Sequence, residues 1–550
     1  MTRILAAAFA LLALAPLAGP ARAEDPRALA DAALAAYGRG DYAASARLFE
    51  EALAAGEEDP GDLYNAACSA SLAGLRQKAF GFLDRAVARG FSGCRHMGED
   101  PDLAPLRTDP RWKGLLDGCE AARLASERLW DGEVWKTPYA EDLPAADKVA
   151  GLSRLWSEVK FAFVNFSKVP GLDWDRAYRD ALPAVLATRS TAEYYRLLAG
   201  LLARLRDGHT YVEYPKEVSP LLRSLPAVST RVADGRVFVA GVLDPALASE
   251  GIRPGLEVTA VDGVPVGEYG RSRVAPWVSA STPQDLEVRT FERSLLAGPA
   301  GTPVSLTLAD EKGAVVTKTL PRLAPSERAR LARPRPRVEA AELPSGLLHV
   351  RIRSFDDERV VPELEALLPE IEASRGLVLD VRENGGGNSA HGDRILAHLA
   401  RGTFPAQRWW TRDYRPAYRA WGMAEGVHGK TQELTGDEKA FEGPIVLLVG
   451  PRTYSAAEDF AAAFLGARRG KLVGEPTGGS TGQPLRIALP GGGGARICSK
   501  RNVLPDGREF VGVGIAPDVV VRTPFEDARA GRDPVLEAAV RLLSGASSAR

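Results

Sequence analysis

The sequence predicts a multidomain α+β protein with a helical start, a mixed helical stretch, a small β domain and an α/β core. Three observations predict it. A helical pattern recurs with a period of 34 residues between about 28 and 119. Short alternating strands fill the region from about 225 to 322. Beyond 338, short apolar runs bounded by turn residues alternate with helix-like stretches. The composition, 45% hydrophobic and 26% charged, is that of a globular protein. Seventy Lys and Arg against 71 Asp and Glu give a net charge of −1, which leaves no footprint for nucleic acid.

The elements follow in order. Arg3, an apolar run over 4–17 and the small-x-small triplet Ala21-Arg22-Ala23 read as a cleavable export signal, residues 1–23. No later run is apolar enough for a membrane span, so the expected location is periplasmic or secreted. In residues 24–124, Gly40, Phe49, Ala52 and Leu53 recur 34 positions on as Gly74, Leu83, Ala86 and Val87. That period resembles tetratricopeptide repeats, which implies either a groove for a partner protein or a stabilising cap. Four cysteines make no disulfide scaffold; Cys94 and Cys119 can pair, and free buried thiols are an equal alternative.

Residues 125–224 read as mixed helical. Ser190 and Glu193 form a capping box ahead of an apolar face of Leu198, Leu201, Leu202 and Leu205. That helix stops at Asp207-Gly208, and His209 stands at the mouth of an extended run. In 225–322, Gly251-Ile252-Arg253-Pro254-Gly255 followed by Asp262-Gly263 resembles a PDZ domain, a fold that captures extended chains at its sheet edge. Residues 323–337, rich in arginine and proline, read as a solvated linker. Residues 338–550 hold buried runs at 348–352, 377–381 and 445–449, an α/β pattern.

Two segments carry chemistry. The run 445–449 leads through a turn to Ser455-Ala456-Ala457-Glu458 at the start of a helix. A serine on a strand–turn–helix junction suits acyl transfer, with the Ala456 amide facing a developing oxyanion. Ser-x-x-Glu is equally a plain capping box, and this segment alone does not decide between the two. Asp380-x-Arg382-x-Asn384-Gly385-Gly386-Gly387 follows a buried strand and offers amides to an anion. It lacks the Gly-Lys-Ser/Thr ending of a phosphate-binding loop.

Asp207-Gly-His209-Thr, the PDZ-like stretch, Asp380-x-Arg382-x-Asn384-Gly-Gly, Ser455-Ala-Ala-Glu458, Gly474-Glu-Pro-Thr-Gly-Gly and Gly514-Ile-Ala-Pro-Asp518 occur in one order. In combination they resemble the C-terminal processing peptidase family, with its tricorn-core and retinoid-binding-protein relatives, over roughly 125–545. The resemblance implies a crotonase-like catalytic core, an inserted PDZ domain, a polypeptide substrate and no cofactor or metal. It assigns Ser455 as nucleophile and His209 as base, with oxyanion amides from Gly386 and Ala456. Arg382, Asn384, Gly385, Glu458 and Ser480 support the site.

The chain also departs from the family. The lysine of Ser–Lys processing peptidases falls at Ser480, which cannot act as an amine base. The tricorn-like branch places a serine where this chain has Gly208, and a glutamate where it has Val511. Asp207, Glu475 and Glu509 are the candidates to orient His209. His391, His398, His349, His96 and His428 form no metal-binding pattern. The aromatic and arginine-rich run 408–421 reads either as substrate subsites or as loop packing, with packing favoured. The expected function is an exported serine endopeptidase. A non-catalytic binding protein on the same scaffold and an esterase are the alternatives.

Overall fold

The computed structural model describes residues 26–56 and 59–547, and divides into two compact units, one ending at Glu133 and one beginning at Val134. The export signal read over 1–23 lies outside the described residues. No described helix is long and apolar enough to cross a membrane.

The first unit is helical. Pro26–Gly38, Tyr42–Ala54, Pro60–Leu72 and Arg76–Ala88 are each 13 residues long, and the second pair starts 34 residues after the first. Alanines 33, 46, 52, 67, 79 and 86 are buried, so the helix axes approach closely, while Phe49, Leu63 and Leu83 fill the space between them. Asp41 and Asp59 cap the helices that follow them. The last long helix, Arg111–Trp130, continues through residue 124. Cys94 and Cys119 form a disulfide, whereas Cys68 and Cys498 are free and buried. The alternative of four free thiols is thereby corrected.

The second unit opens with helices Ala145–Ala162, Trp174–Ala187 and Thr191–Ala203. Ser190 Oγ accepts from Glu193 N at 3.1 Å, but the Glu193 carboxylate accepts from Arg189 N rather than from the cap residue. Leu198, Leu201, Leu202 and Leu205 are all buried. The strand Tyr211–Glu213 then pairs antiparallel with Gly493–Cys498, which pairs in turn with Pro484–Leu489.

Residues 228–321 form an antiparallel sheet in the order Val228–Ala233, Arg236–Val242, Glu257–Val261, Pro303–Ala309, Val315–Pro321. Its inward Val237, Val239, Val258, Leu306 and Leu308 are buried. The stretch read as a solvated linker contains the helix Pro325–Leu331, whose first amides are covered by the Glu327 carboxylate at Ala324 N. Arg328 donates to the carbonyls of Pro226 and Val228, and Arg337 pairs with Asp357 and Glu363. Most of the stretch, with Arg330, Arg333 and Arg335, is exposed as expected, and none of it is buried.

The core sheet has the order Val519–Val520, Gly470–Gly474, Ile445–Val449, Gly376–Asp380, Leu347–Ile352, Val338–Leu343, and only the last pair is antiparallel. Three of its strands, Leu347–Ile352, Gly376–Asp380 and Ile445–Val449, are buried on both faces, which is why they read as continuous apolar runs. Leu377, Leu379, Leu447 and Val449 face the helices Ser389–Ala397 and Ala456–Gly466. Val378, Val446 and Leu448 face the helix Pro534–Ser547. Both loops that carry candidate chemistry leave this sheet at the carboxyl ends of adjacent parallel strands.

Candidate active site

The turn after Ile445–Val449 is tied down before it reaches Ser455. Thr453 Oγ1 accepts from Gly450 N and donates to Val381 O, and Tyr454 N donates to Asn384 O. Ser455 then takes φ +57° and ψ −126°, a strained conformation for a residue with a side chain. Its amide donates to Ser480 O at 3.0 Å and to Glu458 Oε2 at 3.2 Å. The carboxylate half of the capping box is therefore present. Ser455 Oγ is spent elsewhere: it lies 2.9 Å from His209 Nε2.

His209 is fixed by its backbone as well as by its ring. Asp207 Oδ1 accepts from His209 N and from Thr210 Oγ1, both at 3.0 Å, while Asp207 Oδ2 accepts from Asn165 Nδ2. The imidazole lies parallel to the Tyr454 ring, 7° apart with centroids at 5.2 Å. Its Nδ1 is 2.8 Å from Ser480 Oγ. For Nε2 to accept from Ser455, Nδ1 must carry the proton, and Ser480 Oγ then accepts it. Burial, helped by Arg289 and Arg496, pushes the His209 pKa down to about 3, so the ring is neutral at pH 7.

Glu458 joins the two sides. It is fully buried and accepts from Thr477 Oγ1 (2.5 Å), Gly479 N (2.7 Å), Ser480 N (2.8 Å) and Ser455 N (3.2 Å). Burial pushes its pKa up, against the pull of those donors. One carboxylate thus holds both the serine beside His209 Nε2 and the loop that brings Ser480 to Nδ1.

The glycine loop packs against the same point. Asn384 Oδ1 accepts from Gly386 N at 2.9 Å, so the Gly386 amide expected to face an oxyanion is already engaged. Gly386 has φ +101°, and a Cβ there would sit 2.6 Å from Ser455 Cβ and 3.0 Å from Ala456 N. Gly385 lines the cleft onto which Ser455 and His209 open, a space of about 1870 Å³. Arg382 stands back from it, bridging Asp380 and Asp533; against burial, His349 and Arg382 together hold the Asp380 carboxyl far below its usual range.

The ring partner of His209 is the main correction. None of Asp207, Glu475 and Glu509 touches the imidazole. Asp207 serves the backbone, Glu509 pairs with Arg501, and Glu475 is not among the partners of the ring. Ser480, expected to support the site but unable to act as an amine base, occupies that position. The departure at Gly208 has a steric reason, since a Cβ there would lie 2.0 Å from the Tyr454 hydroxyl. Val511 is buried in the apolar core. His349, His391 and His398 bond to Asp380, Phe355 O and Glu365, away from the Ser455–His209 contact. Tyr414 and Tyr418 line a separate recess with Arg412, Arg415 and Arg419.

Residues 346–521 match the model of Peptidase family S41. That match spans about a third of the chain and takes in most of its parallel core sheet. A tricorn protease homolog of Streptomyces coelicolor is 28% identical over 465 residues, covering 78% of this chain and 35% of that protein. The carboxy-terminal-processing protease of Bartonella bacilliformis is 26% identical over 288 residues, 51% of this chain and 61% of that one. The chain therefore spans between about a third and three-fifths of the length of these two relatives. The crystal structure of mature CPAF has a similar fold, with a TM-score of 0.57 at 14% identity, over 72% of this chain and 96% of that one. The S41 match covers the glycine loop, Ser455 and Ser480, whereas His209 lies ahead of it.

Proposed function

We propose that this chain is a serine endopeptidase of the S41 family, in which Ser455 attacks a peptide carbonyl and His209 is the base. The observation that carries the reading is the 2.9 Å contact between Ser455 Oγ and a neutral, buried imidazole. Ser455 Oγ adds to the carbonyl carbon while its proton passes to His209 Nε2. Collapse of the adduct expels the amine, which takes that proton. Water then repeats the cycle on the acyl-enzyme. The oxyanion rests on the Ala456 amide, at the N-terminus of its helix, and on the Gly386 amide once Asn384 Oδ1 yields it. Ser480 holds the imidazole in the required tautomer. As a neutral acceptor it offers less support to the transient imidazolium than a carboxylate would.

The sheet of residues 228–321 is read as PDZ-like, recruiting an extended chain by strand addition. One edge strand, Val228–Ala233, has its Val232 amide taken by Glu292, while the other, Val315–Pro321, carries exposed Val315 and Val316. The second edge is the one proposed to recruit. The paired N-terminal helices are read as a tetratricopeptide-like partner module, and the N-terminal apolar run as an export signal.

A binding protein on this scaffold has no need of a strained serine held against a neutral histidine. A fluorophosphonate probe should label the wild-type protein and leave Ser455→Ala unlabelled, with an unchanged circular dichroism spectrum. Equal labelling of the two removes Ser455 from the chemistry.

A further inference from the structure

The chain as a whole is nearly neutral, but the cleft above Ser455 is not. Nine Lys and Arg line it, against three Asp and Glu. The three acids are already engaged. Glu213 pairs with Arg496 at 2.7 Å, Asp356 accepts from Ser354 Oγ, and Asp459 accepts from Ser389, Thr481 and Asn502. Elsewhere arginines are commonly neutralised, as Arg382, Arg412 and Arg452 are by their carboxylates.

Seven cations of the cleft differ. Arg196, Arg223, Arg273, Arg293, Arg322, Arg486 and Lys500 form no ion pair with any described carboxylate, although Arg322 is spent on the carbonyls of Leu296 and Pro303 and Lys500 lies in the field of Asp393 and Asp459. Three of them are steadied by aromatic rings instead. Arg196 lies 4.7 Å from the Trp277 centroid, Arg273 5.2 Å from Tyr269 and Lys500 5.9 Å from Trp409. A ring face orients a cation without neutralising it, and leaves the N–H donors open to a ligand. A concave wall of one sign also focuses its field into the cleft.

We infer that the substrate of this site is an acidic polypeptide segment, whose Asp and Glu side chains are taken by these unneutralised cations. The inference rests on the peptidase reading and adds the substrate class. Carboxylates suit guanidinium forks in bidentate geometry, so side-chain anions spaced along an extended chain fit a wall of separated arginines. The gain falls on binding: KM carries the preference and kcat does not.

The test uses full-length Ser455→Ala, which binds without turnover, and fluorescence anisotropy of 12-residue peptides carrying a neutral dye. The peptides are amidated and have Glu, Gln or Lys at alternate positions; a fourth has Gln with a free C-terminal carboxylate. The Glu peptide should bind at least about tenfold more tightly than the Gln peptide at low salt, and the gap should close at high salt. Adding Arg223→Glu and Arg486→Glu, both exposed and without an ion pair or ring contact, should abolish or invert the preference. Equal binding of Glu and Gln peptides, or tighter Lys binding, overturns the inference. So does a free-carboxylate Gln peptide that matches the Glu peptide, which would make the chain terminus the recognised anion. Tighter binding of a single-stranded oligonucleotide than of the Glu peptide overturns it as well. Fluorophosphonate labelling of wild type separates the two readings. Labelling without charge preference removes only this inference, and preference without labelling removes only the peptidase.

Discussion

Two neighbouring parallel strands of the core sheet end in loops of the same design but opposite use. Gly376–Asp380 runs through the glycine loop into the helix Ser389–Ala397, and Ile445–Val449 runs through a turn into Ala456–Gly466. In the first, glycines carry the positive φ values, +101° at Gly386 and +136° at Gly387. They also allow the close approach, since a Cβ on Gly387 would lie 2.2 Å from the Phe355 backbone. The helix is capped conventionally, with Asn388 Oδ1 accepting from Ala390 N. In the second, the positive φ falls on Ser455, and the side chain that would cap the helix is given to His209. A serine at a helix start serves either its own helix or a neighbour. Here Glu458 takes over the capping, which frees Ser455 Oγ.

The contrast predicts unequal consequences. His209→Ala should lower kcat by about 10²–10⁴, the usual worth of a positioned base, while leaving the fold intact. The pH profile sharpens this. With a folded pKa of about 3 against an ordinary 6.5, His209 stays neutral well below pH 6.5. The acid limb of kcat/KM should therefore lie below pH 6. The unfolded chain binds this proton first, so the stability contributed by the neutral ring is lost as pH falls from 6.5 towards 3. An acid limb at 6.5 would show that the ring is solvated.

Glu458→Gln should act on both properties at once. The amide group brings donors to a site where four donors already converge, so about 1–3 kcal/mol of stability should be lost. Calorimetry should show the drop, and kcat should fall about tenfold as Ser480 loosens. A loss of stability with unchanged kcat would separate Glu458 from the placement of the His209 ring. Asn388→Ala should have the smallest effect. Only a cap is removed, so thermal denaturation should report a loss of about 1 kcal/mol, and kcat should stay within about twofold. A large loss of turnover there would mean that the glycine-loop helix is catalytic in a way its neighbour is not.

The strands and helices of both junctions were legible because burial on two faces writes continuous apolar runs and because the caps are local. Ser455 was legible for the same reason, although its segment alone did not distinguish capping from chemistry. The role of Ser480 was not. It depends on a loop folded back over 20 residues by Glu458, and a hydroxyl has no sequence signature for holding a ring. Asp207, two residues from His209, is the nearest carboxylate in sequence, yet it holds the backbone. The signal that existed was Ser455-x-x-Glu458 itself, because a buried glutamate must find donors. The helix Pro325–Leu331 was overlooked because arginine and proline content outweighed the Pro-Ser-Glu start that marks a helix N-terminus. The Cys94–Cys119 pairing depends on the packing of Cys94–Glu99 against Arg111–Trp130, which no spacing encodes.

His209 precedes Ser455 by 246 residues, and the strand after it is held by Gly493–Cys498, nearer still to the end of the chain. A ribosome makes these parts in order, so the nascent chain carries His209 long before it carries Ser455, and both before the strand that seats His209. Contacts of such long sequence separation form late in folding. The contact between the two is thus absent from the growing polypeptide until the strand Gly493–Cys498 has been made. A truncated translation product ending before residue 493 would contain the serine and the histidine yet lack the strand that brings them together.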